Sequence, residues 1–315
     1  MSLPLLRLPD LVLGEIIKNL SHKEILFLAQ TSLRARRRIS RHKPLHDIKI
    51  TFDDGGFDSY VQIFSDNQEI FRIIIATCEE EQFDSSWRFK TIVPVRYEKE
   101  TLVFLWKGDA FQEILDFLME IFRIKKVSFE IQAASTCRIL HLLEYCVSKN
   151  LNIGSVEWPT FSDSVEMTER LLMASRGARN LSFKGFNFPS FNFHQFRMNR
   201  LQILEATQMT PDHVVALRNC KNINLEYVEF DEDAINYILL EYMKNPGRLR
   251  ELRMYCCNDF RIRKVVTGLN IVEVYEGNSV REPKFWFTSL NGIRFSVTKE
   301  WYAETVVLQR EIRFQ

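Results

Sequence analysis

His42 and His46 are four residues apart, a spacing that suits a metal ion held on one helix face, but Pro44 between them would break a helix presenting both. Cys137, His141 and Cys146 form the densest ligand or nucleophile cluster, and on a helix Cys137 and His141 share a face. The same stretch carries Leu140, Leu142 and Leu143, so an apolar helix with core thiols is the commoner source of such a pattern. Carboxylates pair at Asp53-Asp54, Glu79-Glu80-Glu81 and Asp231/Asp233. They do acid-base work only inside a cleft, and otherwise read as solvated loops or helix caps. Asp53-Asp54-Gly55-Gly56 itself reads as a turn. Arg34, Arg36, Arg37, Arg38, Arg41 and Lys43 place six cations in ten residues. Such a run binds phosphate or serves as a nuclear address, or else forms the solvated face and C-terminal end of a helix. It lacks the interleaved aromatics of single-strand binding.

Tools of catalysis are missing from the 315 residues: no G-x-x-x-x-G-K-[ST], no G-x-G-x-x-G, no G-x-S-x-G and no H-E-x-x-H. We expect no catalytic residues, no metal and no cofactor. With 42 Lys+Arg against 41 Asp+Glu, the formal charge of +1 gives no whole-molecule attraction to nucleic acid or an anionic membrane. The 46% hydrophobic content excludes a disordered chain. Six cysteines without C-x-x-C spacing read as reduced thiols, as in the cytoplasm or nucleus. Arg7, Pro9 and Asp10 interrupt the apolar start that a secretory leader needs, and no run approaches the roughly 20 apolar residues of a membrane span.

The first elements are short helices. Pro9-Asp10 starts one, and Leu13, Ile16, Ile17 and Leu20 fall on a single stripe of it. Ser21 and Glu24 form a capping box for a second, flanked by Leu20 and Ile25 as a staple and continued by Leu28 and Ala29. A third begins near Thr31 or Ser32 and carries Leu33 and Ile39. Three helices this short cannot bury their apolar faces alone, so a partner is expected. Leu8-Pro9, Leu11, Ile16-Ile17, Leu20, Ile25-Leu26 and Leu28 resemble the F-box family. The family's closing V-C-x-x-W is replaced by Thr31-Ser32-Leu33-Arg34-Ala35-Arg36, so the third helix is expected to dock differently. The resemblance implies an F-box over residues 1–43 that binds the Skp adaptor of cullin-RING ubiquitin ligases through Leu8, Pro9, Leu11, Ile16, Ile17, Leu20, Ile25 and Leu26.

Beyond it, an apolar-x-x-apolar-x-apolar template recurs: Leu45/Ile48/Ile50, Ile124/Val127/Phe129, Ile153/Val156/Trp158, Ala178/Leu181/Phe183, Leu201/Leu204/Ala206, Cys220/Ile223/Leu225, Leu249/Leu252/Met254 and Leu269/Val272/Val274. From Ile124 the starts are 29, 25, 23, 19, 29 and 20 residues apart, the range of leucine-rich repeats. Helical patterns at 109–122, 136–149, 164–175 and 231–244 alternate with these strands. The expected fold is α/β: a three-helix F-box, then an irregular leucine-rich-repeat-like solenoid over 44–315, closed by a hairpin cap about 283–315 turning at Asn291-Gly292. Glu205, Asn224, Glu226, Arg253, Tyr255 and Tyr275 then lie among the residues on its open face as candidate target-binding groups.

The order of parts, with Val93-Pro94-Val95 in mid-chain, resembles the type 2 F-box-associated region of nematode F-box proteins, which implies that the body recruits a target. The expected function is therefore the substrate-recognition subunit of a Skp-cullin-F-box ligase. The alternatives are a repeat scaffold outside any ligase and a nucleic-acid binder using the Arg34 to Lys43 run.

Overall fold

The computed structural model describes residues 7–42, 45–52, 59–76, 85–89, 92–98, 101–105, 110–132, 137–159, 164–184, 191–275, 283–300 and 304–311. The turn expected at Asp53-Asp54-Gly55-Gly56, the acidic run at Glu79 to Glu81, Cys78, Lys43 and Pro44 lie outside them. The chain divides into two compact units, Met1–Gly154 and Ser155–Gln315. The break expected after residue 43 does not coincide with that division, because the N-terminal helices belong to the first unit.

In the first unit α1 (Asp10–Asn19), α2 (His22–Thr31) and α3 (Leu33–Ile39) come first. The Ser21 amide donates to Glu24 Oε2 at 2.7 Å and the Glu24 amide to Ser21 Oγ at 3.3 Å, the reciprocal cap read from the sequence. Seven strands follow: β1 (Leu45–Phe52), β2 (Ser59–Ser65), β3 (Gln68–Ala76), β4 (Ser85–Arg88), β5 (Ile92–Glu98), β6 (Thr101–Leu105) and β7 (Arg123–Ile131). Their order is β7-β1-β2-β3-β6-β5-β4. Helices α4 (Ala110–Ile121) and α5 (Cys137–Ser148) complete the unit.

The first two template copies are neighbours here, since β1 and β7 run parallel with Ile48 opposite Val127 and Ile50 opposite Phe129. Between them the solenoid expectation fails. The described residues between 59 and 105 form β2 to β6 and include no helix, and β1-β2, β2-β3, β4-β5 and β5-β6 pair antiparallel. Asp66 and Asn67 adopt φ of 49° and 67° at the β2-β3 turn, a local connection that keeps consecutive strands adjacent and needs no crossover helix.

In the second unit the strand-helix alternation is present. Strands β8 (Ile153–Trp158), β9 (Asn180–Phe183), β10 (Arg200–Ile203), β11 (Asn222–Val228) and β12 (Glu251–Cys256) lie side by side in sequence order, all parallel. Among the connections are α6 (Val165–Ser175), α7 (Pro211–Ala216) and α8 (Glu232–Lys244). Asp231 caps α8 by accepting the Ala234 amide at 2.8 Å.

The register corrects one copy. Leu181 stands opposite Leu201 and Phe183 opposite Ile203, so the β10 template is Met198/Leu201/Ile203, all fully buried, and Leu204 is only half-buried. Apolar residues at 198, 201, 203, 204 and 206 support either phase, and cross-strand pairing selects one.

The last copy is corrected as well. Strand β13 (Ile271–Val274) does not follow β12; it pairs antiparallel with β14 (Lys284–Thr288), and Val272 is 61% exposed. Nor is the C-terminus a hairpin alone. β15 (Arg294–Glu300) pairs with β14, and β16 (Thr305–Arg310) inserts antiparallel between β12 and β15. The β14-β15 connection spans Ser289 to Ile293 and is not a two-residue turn; Gly292 alone takes a positive φ, 74°.

Candidate functional site

The predicted adaptor residues separate into two sets. Ile17, Ile25 and Leu26 are at most 3% exposed, buried with Leu13, Ala29, Ala35 and Ile39 within the first unit. They cannot meet a partner without repacking and hold the helices together instead. Leu8, Ile16 and Leu20 are half-buried and Pro9 is exposed. Leu11 stands out at 81% exposure, joined by Val12 at 45% and Leu33 at 67%. Val12 is absent from the sequence-derived set because the stripe ran through Leu13, Ile16 and Ile17; the signal was Leu11-Val12-Leu13, a triple in which one helix cannot bury every member on one face.

The helices dock through polar as well as apolar contacts. On α3, Arg36 donates to the Ala29 carbonyl at 3.1 Å, to the Arg88 carbonyl at 3.1 Å and to Glu120 at 3.2 Å, with its guanidinium 4.9 Å from the Phe117 ring centroid. One side chain therefore fastens α3 to α2, β4 and α4, in the segment that departs from the family's closing pattern. Phe27 of α2 stacks on Tyr97 of β5 at 4.5 Å. Asp10 in the first turn of α1 accepts from Arg41 at 2.8 Å and also from Arg38. Three of the six cations in the basic run are thus engaged within the unit, while Arg34 and Arg37 are exposed.

His46 is one of the buried polar side chains. It is 2% exposed, edge-on to both His22 and Phe122 at 4.8 Å, and neither ring nitrogen makes a hydrogen bond of normal geometry among the described residues. Desolvation, and then the neighbouring His22, pull its pKa down to about 4. His42 does not join it as a ligand pair; its ring packs against Gly14 of α1. Among the described residues no three His, Cys, Asp or Glu side chains are close enough to hold a metal ion. Cys146 is buried and its thiol pushed up to about 12, whereas Cys137 and His141 are exposed, so the cluster read from the sequence is split between core and surface. The described cysteines are free thiols.

In the second unit the candidate target-binding residues are mostly engaged with one another. Gln202, Asn224 and Arg253 are consecutive cross-strand partners on β10, β11 and β12. Glu226 accepts from Gln202 at 2.9 Å and from Asn224 at 3.3 Å. Arg253 pairs with Glu251 and, at 3.1 Å, with Glu300. Tyr255 is half-buried on β12. Glu205 lies beyond the end of β10 and pairs with Lys184 at 3.2 Å.

Tyr275 stands apart. With Glu273 it lies on the opposite side of β13 from Val272; its hydroxyl donates to Glu273 at 2.5 Å and accepts from Arg263 of α9 (Ile262–Val265) at 3.2 Å. No sequence pattern marks Tyr227, which sits in the β11 bulge with φ of 59° and 61% exposure. Among the described residues no helix is long and apolar enough to cross a membrane.

Comparison with known proteins finds a match within the N-terminal segment. The F-box domain model matches residues 5–47, a segment that includes all three helices. Over 261 residues the chain is 22% identical to the Skn-1 dependent zygotic transcript 15 protein of Caenorhabditis elegans, covering 76% of this chain and 75% of that relative. No solved structure matches.

Proposed function

We propose that the chain is the substrate-recognition subunit of a Skp-cullin-F-box ubiquitin ligase, holding the Skp adaptor with its N-terminal helices and a target protein with the strand-rich remainder. The observation that carries this reading is the outward set Leu11, Val12 and Leu33, large apolar side chains exposed on helices that lie inside the matched F-box segment. Burying them against a partner recovers roughly 1.5 to 3 kcal/mol for each side chain fully covered. The subunit would be non-catalytic and work by proximity, raising the effective concentration of target lysines near a ubiquitin-charged enzyme. Such a role fits the cytoplasm or nucleus.

The finer reading, a leucine-rich-repeat-like and type 2 F-box-associated body, is supported by the parallel succession β8 to β12 in the second unit. Its open face, through the Glu226 and Arg253 network with Asn224 and Tyr255, is the part we assign to target recognition. The nucleic-acid alternative is disfavoured by the pairing of Arg36, Arg38 and Arg41 with Glu120 and Asp10.

The test is co-purification with the Skp adaptor from cells expressing the tagged full chain. Leu11→Asp combined with Leu33→Asp is expected to remove the adaptor while leaving the thermal unfolding midpoint unchanged, since both side chains are exposed. Adaptor recovered in unchanged yield rejects the proposal. Adaptor recovered without cullin favours a scaffold outside the ligase.

A further inference from the structure

Apart from the helices, the first unit holds a cavity of about 420 Å³ where β1 ends and α4 and α5 begin. Its floor is apolar: Phe52 and Phe111, with ring centroids 5.8 Å apart, together with Ile139 and Leu142, which are 1% and 5% exposed. Close-packed interiors leave voids little larger than a water molecule, so a space of this size is a pocket and not a packing defect.

Gln112 of α4 also lines it, as do Arg138 and His141, both exposed and three residues apart on α5, so that these two project from the same side of the helix. Elsewhere in this unit several cations are neutralised: Arg36 by Glu120, Arg72 by Glu69, Lys126 by Asp47. Arg138 has no hydrogen bond or ion pair with any described residue, and no carboxylate is among the described residues of the lining.

A guanidinium with no carboxylate partner among the described residues, beside an apolar floor, selects a ligand with two features. One is a flat apolar body to cover Phe52 and Phe111. The other is a single anionic group whose paired oxygens match the planar fork of Arg138. His141 lies close enough in sequence to add a second donor to the same anion.

We propose that this cavity is a binding site for an aromatic ring bearing one phosphate or carboxylate, with Arg138 as the anion-binding residue. The site is separate from the adaptor-facing helices and does not depend on the ligase reading.

The experiment is isothermal titration of the full-length protein with phenyl phosphate, inorganic phosphate and benzyl alcohol. Phenyl phosphate is expected to bind saturably, and both fragments more weakly. Arg138→Gln, at an exposed position, is expected to weaken phenyl phosphate at least about tenfold, the scale of one charge-assisted hydrogen-bonded contact. Phe52→Ala should weaken it as well without restoring binding of inorganic phosphate.

A phosphotyrosine peptide separates the two sources of this chemistry. Tighter binding than phenyl phosphate identifies a modified protein segment as the occupant, and equal binding identifies a small molecule; both outcomes support the site. Inorganic phosphate binding as well as phenyl phosphate, unchanged binding to Arg138→Gln, or no saturable binding of phenyl phosphate overturns it. Arg138→Gln should retain the Skp adaptor in co-purification, so loss of this site and loss of the adaptor surface are read independently.

Discussion

Single residues decide how the N-terminal helices are held, and His46 gives the sharpest consequence. Its ring is neutral at pH 7 because burial beside His22 lowers its pKa to about 4 from the ordinary 6.5. The unfolded chain takes up a proton below about pH 6.5 that the folded chain refuses until about pH 4, so stability present at neutral pH is lost as the pH falls through that window. Between about pH 7 and pH 5 the loss is about 2 kcal/mol. His46→Leu should flatten that stretch of the pH profile in urea unfolding; an unchanged slope would show that other groups set it. This residue was not legible in the sequence. The template placed Leu45 in the core, but the β1-β7 register shifts between His46 and Asp47, leaving Leu45 51% exposed and His46 inside. Ser21 and Glu24, by contrast, were fully legible, because a capping box depends on residues three apart and on nothing distant.

At the scale of elements, α1 is held at a close approach that a helix-propensity argument misreads. Replacing a helical glycine by alanine ordinarily gains about 1 kcal/mol. At Gly14 a Cβ would fall 2.7 Å from His42 Cε1 and 2.8 Å from Nδ1, a clash that stands unless the half-buried His42 ring turns aside. Overpacking of this kind costs about 1 to 3 kcal/mol, so the clash outweighs the propensity. Gly14→Ala is therefore expected to lower the thermal midpoint, and a raised midpoint would show that His42 swings clear.

The strands repeat the lesson about legibility. Cys220/Ile223/Leu225 and Leu249/Leu252/Met254 were read in the correct phase because each copy has polar residues between its apolar ones. Residues 198–206 were read three positions out, because their apolar residues satisfy two phases and only the pairing of Leu181 with Leu201 chooses. On β13 it was the core assignment of Val272 that failed, since Val272 is 61% exposed and Tyr275 is exposed as well.

For the molecule as a whole, the least local feature is β16. A repeat array adds each strand beside the one before it, and that logic is what made β8 to β12 readable from spacing alone. Strand β16 breaks it by entering from the end of the chain between β12 and β15, with Leu308 facing Leu252 on one side and Val297 on the other. No period announces such a strand. Its only local signal is the run Thr305 to Leu308, four consecutive buried residues, which marks a strand covered on both faces.

Because β16 carries ladder hydrogen bonds on both edges, its removal would leave one edge of β12 and one edge of β15 unpaired and uncover Met254 and Val297, both fully buried. Unpaired apolar edges of that kind template aggregation. A chain ending at Glu300 is expected to lose the cooperative unfolding transition of the second unit and to accumulate as insoluble protein. Val307→Asp in the full chain, a charge at a residue 5% exposed, should reproduce the loss in milder form. If the shortened chain remained soluble with an unaltered unfolding transition, β12 would not depend on β16, and the second unit would be closed by its own repeats.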